Sequence, residues 1–171
     1  MKFLLVKPNQ IISMNDYPPL HSPKALIDYY EKLKKEVYST PIPVIPKSIV
    51  ISYFKKFEER YITYKKQLQK FLVGNPKADF FMLDGKHRST ASMLAGKDIL
   101  CVVLKSDIDV KELLKLIKTR EISKLTGIKN TLDETLQILE KHFFEHKRFW
   151  TVDIKTQLMI QNGDIPKYML D

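Results

Sequence analysis

The sequence predicts an α+β fold with a small mixed sheet and a C-terminal helical extension. Three observations point to it. Short apolar runs bounded by Pro, Gly and Asn read as strands at 2–6, 42–45, 78–83 and 99–104. Apolar residues at helical spacing fill the stretches between and after them. The length, 171 residues, suits one sizeable core rather than two.

The elements follow in order. Lys2 to Val6 is a first or edge strand closed by Pro8 and Asn9, and Asn15-Asp16-Tyr17-Pro18-Pro19 forces a loop. Ser22 before Pro23 is an N-cap and first-turn signal, and Leu26, Ile27, Tyr30, Leu33 and Val37 carry a helix toward Pro41. Ile42 to Ile45 is a short strand flanked by prolines. From Ser48, the residues Val50, Phe54, Phe57, Tyr61, Tyr64, Leu68 and Phe71 predict one long helix over about 48–72, ended by Gly74-Asn75-Pro76. Its other face carries Lys55, Lys56, Glu59, Lys66 and Lys70. Aromatics interleaved with lysines can stack on single-stranded nucleic acid, but this spacing is first of all that of a buried stripe under a solvated basic face.

Ala78 to Leu83 reads as a buried strand and Asp84 to Arg88 as a polar turn. Ser89 to Ala95 is a helix with Gly96 at its C′ position, and Ile99 to Leu104 is the next strand, a βαβ-like unit of about 27 residues. Ser106 and Asp107 cap a helix bearing Val110, Leu113, Leu114 and Ile117. After Gly127 the pattern is helical, through Leu132, Leu136, Leu139, Phe143 and Phe144, then Ile154, Leu158 and Met159. Residues 106–171 are expected to cap the same core; a separate helical module is the alternative.

Composition bounds the function. With 44% hydrophobic and 29% charged residues the chain is globular, and five Gly with nine Pro exclude a collagen-like chain. No apolar run approaches the roughly 20 residues of a membrane span, and the N-terminal run is too short for a signal-peptide core, so a cytoplasmic protein without a membrane partner is expected. Cys101 has no cysteine partner, which excludes an internal disulfide and a Cys-based zinc site and leaves a reduced, buried thiol. The net charge of +9 favours an anionic partner, namely a nucleotide, a nucleic acid or an acidic surface. The basic excess is concentrated in 51–77, where seven basic side chains face two acidic ones.

One polar cluster lies between an apolar strand and a helix start: Asp84-Gly85-Lys86-His87-Arg88-Ser89-Thr90. A helix N-terminus presents unpaired N–H groups and a favourable dipole to an anion, and Gly85 allows a ligand close to the backbone. His87 and Arg88 add donors, the guanidinium in a fork that suits phosphate, and Ser89 and Thr90 add hydroxyls. The plainer reading has Asp84 as a helix cap and Arg88 in a surface ion pair. The pattern is not a GxxxxGK[ST] P-loop.

This turn resembles that of the ParB/sulfiredoxin superfamily, whose members bind nucleotide phosphates with a G-x-[HR]-R turn between strand and helix. The resemblance covers residues 1–105, with 48–72 as a helical insertion, and leaves 106–171 unexplained. Sulfiredoxins have their catalytic cysteine where Lys86 stands here, and chromosome-partitioning ParB proteins show Gly-Glu-Arg-Arg where this chain has Gly85-Lys86-His87-Arg88. The free-serine kinases carry Asp-Gly-x-His-Arg, which Asp84-Gly85-Lys86-His87-Arg88 matches. That likeness implies nucleotide phosphates held by His87 and Arg88, beside the Gly85, Lys86, Ser89 and Thr90 that the helix start itself offers, a catalytic or metal-linked Asp84, and a second acidic residue as base, for which the 14–21 loop offers Asp16, with Asn15 and His21 beside it, where the family has glutamate. It implies ATP or ADP, with CTP as a further option, and Mg2+, acting on a small hydroxyl-bearing molecule. Phosphoryl transfer needs those parts: positive charge at the phosphate oxygens, a divalent metal and a carboxylate at the attacking hydroxyl.

Two other classes stay open, a DNA-associated ParB-like nucleotide-dependent binder or nuclease, and a non-catalytic nucleotide sensor. His142 and His146 share a helix face without an HExxH pattern and read as solvated side chains. Phe149 and Trp150 read as core or interface, and Asp107 and Asp109 as capping residues.

Overall fold

The computed structural model describes residues 1–13, 22–38, 40–56, 59, 62–146, 148–170, and the side chains of all of these but 143–146. It is a mixed α+β fold. Five strands, β1 (Lys2–Val6), β2 (Ile11–Ile12), β3 (Ile42–Pro46), β4 (Phe80–Met82) and β5 (Ile99–Val103), form one sheet in the order β1-β5-β3-β4-β2. The helices are α1 (Pro23–Lys34), α2 (Lys47–Lys55), α3 (Ile62–Gly74), α4 (Lys86–Leu94), α5 (Asp107–Lys118), α6 (Leu132–His146) and α7 (Val152–Gln161). Among the described residues no helix is long and apolar enough to cross a membrane.

Strand alternation sorts the core into two layers. Ile12, Ile45, Phe81, Val102 and Leu104 point to one face, where α2, α3, α5 and α6 cover them with Val50, Phe54, Tyr64, Leu68, Val110, Leu113, Leu136 and Leu139. Ile11, Ile42, Val44, Met82, Ile99, Cys101 and Val103 point to the other, against Val152 of α7 and Met93 of α4. A third cluster joins Leu26, Tyr30 and Leu33 of α1 to Ala91 of α4 and Met159 of α7. Residues 106–171 thus pack on both faces of the sheet.

Three expectations are corrected and one strand is added. The stripe predicted as one helix over 48–72 is two helices: the Phe54 and Tyr64 rings meet at 5.1 Å, whereas ten residues of continuous helix would separate them by about 15 Å. Phe57 and Tyr61 lie outside the described residues. Val37 is not on a buried helix stripe but 52% exposed, because α1 ends at Lys34 with Glu36 in the left-handed region. The two-residue β2 has too little periodicity to be read in advance. The strand–turn–helix–strand unit is not a parallel βαβ crossover: β3 lies between β4 and β5, antiparallel to the first and parallel to the second, with Val44 in register with both Met82 and Val103.

Candidate functional site

The turn begins where β4 ends. The Leu83 N–H donates to the Pro43 carbonyl at 3.0 Å, holding the strand end against β3. Gly85 is the N-cap of α4 with φ +112°, and a Cβ built there would lie 2.8 Å from Ile42 Cγ1 and 3.2 Å from Arg88 Nη2. Conformation and space both require glycine. The helix then starts at once, the Ser89 N–H donating to the Gly85 carbonyl at 2.8 Å.

Arg88 turns inward. It is 8% exposed, and its Nη1 donates to the carbonyls of Thr40 at 2.9 Å and Pro41 at 3.1 Å, while Nη2 lies 3.4 Å from Asp84 Oδ2. Burial pulls its pKa below the ordinary value, and the neighbouring Asp84 carboxylate opposes that shift. The ion pair is therefore buried on the Arg88 side and half-exposed on the Asp84 side, and the guanidinium ties the 40–41 segment to the turn.

Asp84 does not cap α4. Its Oδ2 accepts the Thr126 N–H at 3.0 Å, while Oδ1 makes no hydrogen bond among the described residues. The segment around Thr126 is fastened to the core by the buried Ile122 and Leu125, and its Ser123 N–H donates to Thr40 Oγ1 at 3.4 Å. Thr40, Pro41 and Thr126 carried no sequence signal, since their roles rest on contacts across more than forty residues.

The other candidates divide. Lys86 and His87 are half-buried in the first turn of α4. Ser89 Oγ donates to the Lys86 carbonyl at 3.0 Å, so this hydroxyl serves its own helix, and Thr90 is buried behind it. Asp16, Asn15 and His21 lie outside the described residues. β2 runs parallel to β4, so the chain leaves β2 at Ser13 from the same end of the sheet at which Asp84 stands. His146 has no described side chain, and among the described residues no three metal-ligating side chains converge.

A lysine with no role in the sequence analysis lies in the core. Lys155, 5% exposed, shares the buried face of α7 with Val152, Thr156 and Met159, the face by which α7 packs on α4. The signal was legible: a lysine three residues after Val152 and four before Met159 occupies a core position of an amphipathic helix.

The molecule is thus a mixed α+β protein with a basic, glycine-capped helix start at the end of a central strand. No family model matches the chain, and neither a curated protein nor a solved structure matches it.

Proposed function

We propose that the protein binds a nucleotide at the β4–α4 turn and transfers a phosphoryl group to a small hydroxyl-bearing molecule. One observation carries this reading: α4 opens on Lys86, His87 and Arg88 with no acidic residue in its first turn, behind an N-cap that has no side chain. The helix dipole places partial positive charge at that end, so its field and the basic side chains beside it favour an anion there. Phosphate oxygens are such an anion, accepting from backbone N–H groups, Lys86 and His87. Arg88 acts from behind, fixing Asp84 and the 40–41 segment.

Asp84 Oδ1 is the atom left to orient an attacking hydroxyl or to hold Mg2+, which uses one or two carboxylates together with substrate phosphates. Bound there, Mg2+ would supply neutralisation of phosphoryl charge. ATP or ADP, with CTP as a further option, and Asp16 as base rest on the resemblance to free-serine kinases alone. The DNA-associated alternative keeps the +9 charge and the exposed Lys55, Lys56, Lys66 and Lys70, but Phe54 and Tyr64, which would have to stack on bases, belong to the core.

A thermal-shift panel of ATP, ADP and CTP with and without Mg2+ tests the reading, since a ligand of the folded state raises Tm. Lys86→Ala is expected to weaken the effective nucleotide by about 1–3 kcal/mol, the scale of a lost charged hydrogen bond, with the unliganded Tm kept. Asp84→Asn is expected to keep nucleotide binding and lose turnover. No shift with any nucleotide at millimolar concentration would overturn the site, and wild-type turnover in Asp84→Asn would remove the catalytic role.

A further inference from the structure

The two edges of the sheet are finished differently. The β2 edge is two residues long and closed by the chain itself: Thr151 bridges Ile12, and the Ser13 N–H donates to the Trp150 carbonyl at 2.8 Å. The β1 edge is open. β1 pairs with β5 over five unbroken rungs, and among the described residues nothing bonds its outer side. Proteins usually blunt such an edge with proline, a bulge or a charge within the strand. Here the one charge in the strand is Lys2 at its first residue, none interrupts Phe3-Leu4-Leu5-Val6, and one sheet face carries Phe3 at 47% and Leu5 at 57% exposure.

We propose that β1 pairs antiparallel with β1 of a second copy about a two-fold axis through Leu4, joining two five-stranded sheets into one of ten. The occupant follows from the strand's self-complementarity. This register sets Phe3 against the partner's Leu5, Leu4 against the partner's Leu4 and Lys2 against the partner's Val6. Facing residues always differ by an even number, so side chains of one face meet side chains of the same face, and outward backbone groups meet outward backbone groups. Phe3, Leu5 and their partner counterparts then form a row of four apolar side chains, the cross-strand pairing that stabilises sheets. The two Lys2 side chains are offset by four residues, about 13 Å, beyond a Debye length at physiological salt, while each Lys2 lies one rung from the partner's Lys7, a like-charge contact that opposes pairing and is screened by salt. The area is small against the roughly 800 Å² per partner of a standard interface, so the dimer is weak, with Kd on the order of 10–100 µM.

Sedimentation of the full chain from about 1 to 500 µM tests this, spanning the expected Kd. The expected result is a mass rising from 20.1 kDa toward twice that value. Phe3→Lys and Leu5→Lys change exposed side chains, so circular dichroism and Tm stay unchanged while Kd rises at least tenfold; Val73→Lys, on α3 and 83% exposed, leaves association as it was. A chain monomeric throughout overturns the proposal and leaves the edge for a strand of another protein. A dimer indifferent to both β1 substitutions places the interface elsewhere and overturns it equally.

Discussion

At Arg88 a buried guanidinium answers two carbonyls, Thr40 and Pro41, that belong to no strand or helix, and at the same time faces the Asp84 carboxylate. Truncating it leaves both carbonyls without this donor and takes the paired charge from Asp84, whose Oδ2 keeps the Thr126 N–H. Arg88→Ala is therefore expected to lose about 2–4 kcal/mol of stability by denaturant unfolding, and Arg88→Lys to recover only part of this, because one ammonium cannot span both carbonyls and the carboxylate. An Arg88→Ala protein as stable as the parent would show that the 40–41 segment needs no tether. Cys101 makes a second, pH-dependent case. Burial pushes its thiol up to about 12 from an ordinary 9.0, with Arg88 pulling it back. A pKa raised by folding contributes stability that is complete below the unfolded value of 9.0 and lost as pH climbs toward about 12. Each unit above the unfolded value removes about 1.4 kcal/mol, so Cys101→Ala should become less sensitive than the parent to a change from pH 9 to 11 in equilibrium unfolding. Parallel curves would place the thiol in contact with solvent.

At the scale of elements, α1, α4 and α5 end alike but with different residues. In each, the residue two past the C-cap reaches back across the last turn: Val37 N–H to the Lys32 carbonyl, Lys97 to Ser92, and Glu121 to Leu116. The residue before it is left-handed, Glu36 at φ 59°, Gly96 at 63° and Arg120 at 62°. Of these three, α4 has the glycine that this position favours; α7 ends the same way on Gly163 at φ 77°, with the Asp164 N–H reaching the Met159 carbonyl. Glu36→Gly and Arg120→Gly are each expected to raise stability by about 0.5–1 kcal/mol by relieving left-handed strain. Glu36 gives up an exposed ion pair with Lys97 at 3.2 Å, which is worth little in water. A fall in Tm for both variants would mean that their side chains contribute more than the strain removes. Gly96 was legible as a C′ residue because its type announces the conformation; Glu36 and Arg120 were not, because nothing local marks a non-glycine residue as left-handed.

For the whole molecule, the helices after residue 105 bury the part of one sheet face that α2 and α3 leave open. Val102, Leu104, Phe81 and Ile45 share a single cluster with Val110, Leu113, Leu136 and Leu139. A fragment of residues 1–105 would expose that face and, with Thr151 gone, the β2 edge too. It is expected to lack a cooperative thermal transition and to bind hydrophobic dyes. A fragment with a sharp transition near that of the full chain would show that the sheet needs only α2 and α3.

The sequence by itself determined the α+β class, the strand before the candidate turn and the helix after it, the glycine at its hinge and the basic first turn of α4. These follow from local rules: apolar spacing sets periodicity, and Gly and Pro restrict φ and ψ. Only the tertiary structure decided that Arg88 faces carbonyls 47 and 48 residues away rather than open solvent, that one apolar stripe folds back as α2 and α3, and that β3 separates β4 from β5. Periodicity reports which face of an element is apolar, and is silent on which distant surface will cover it.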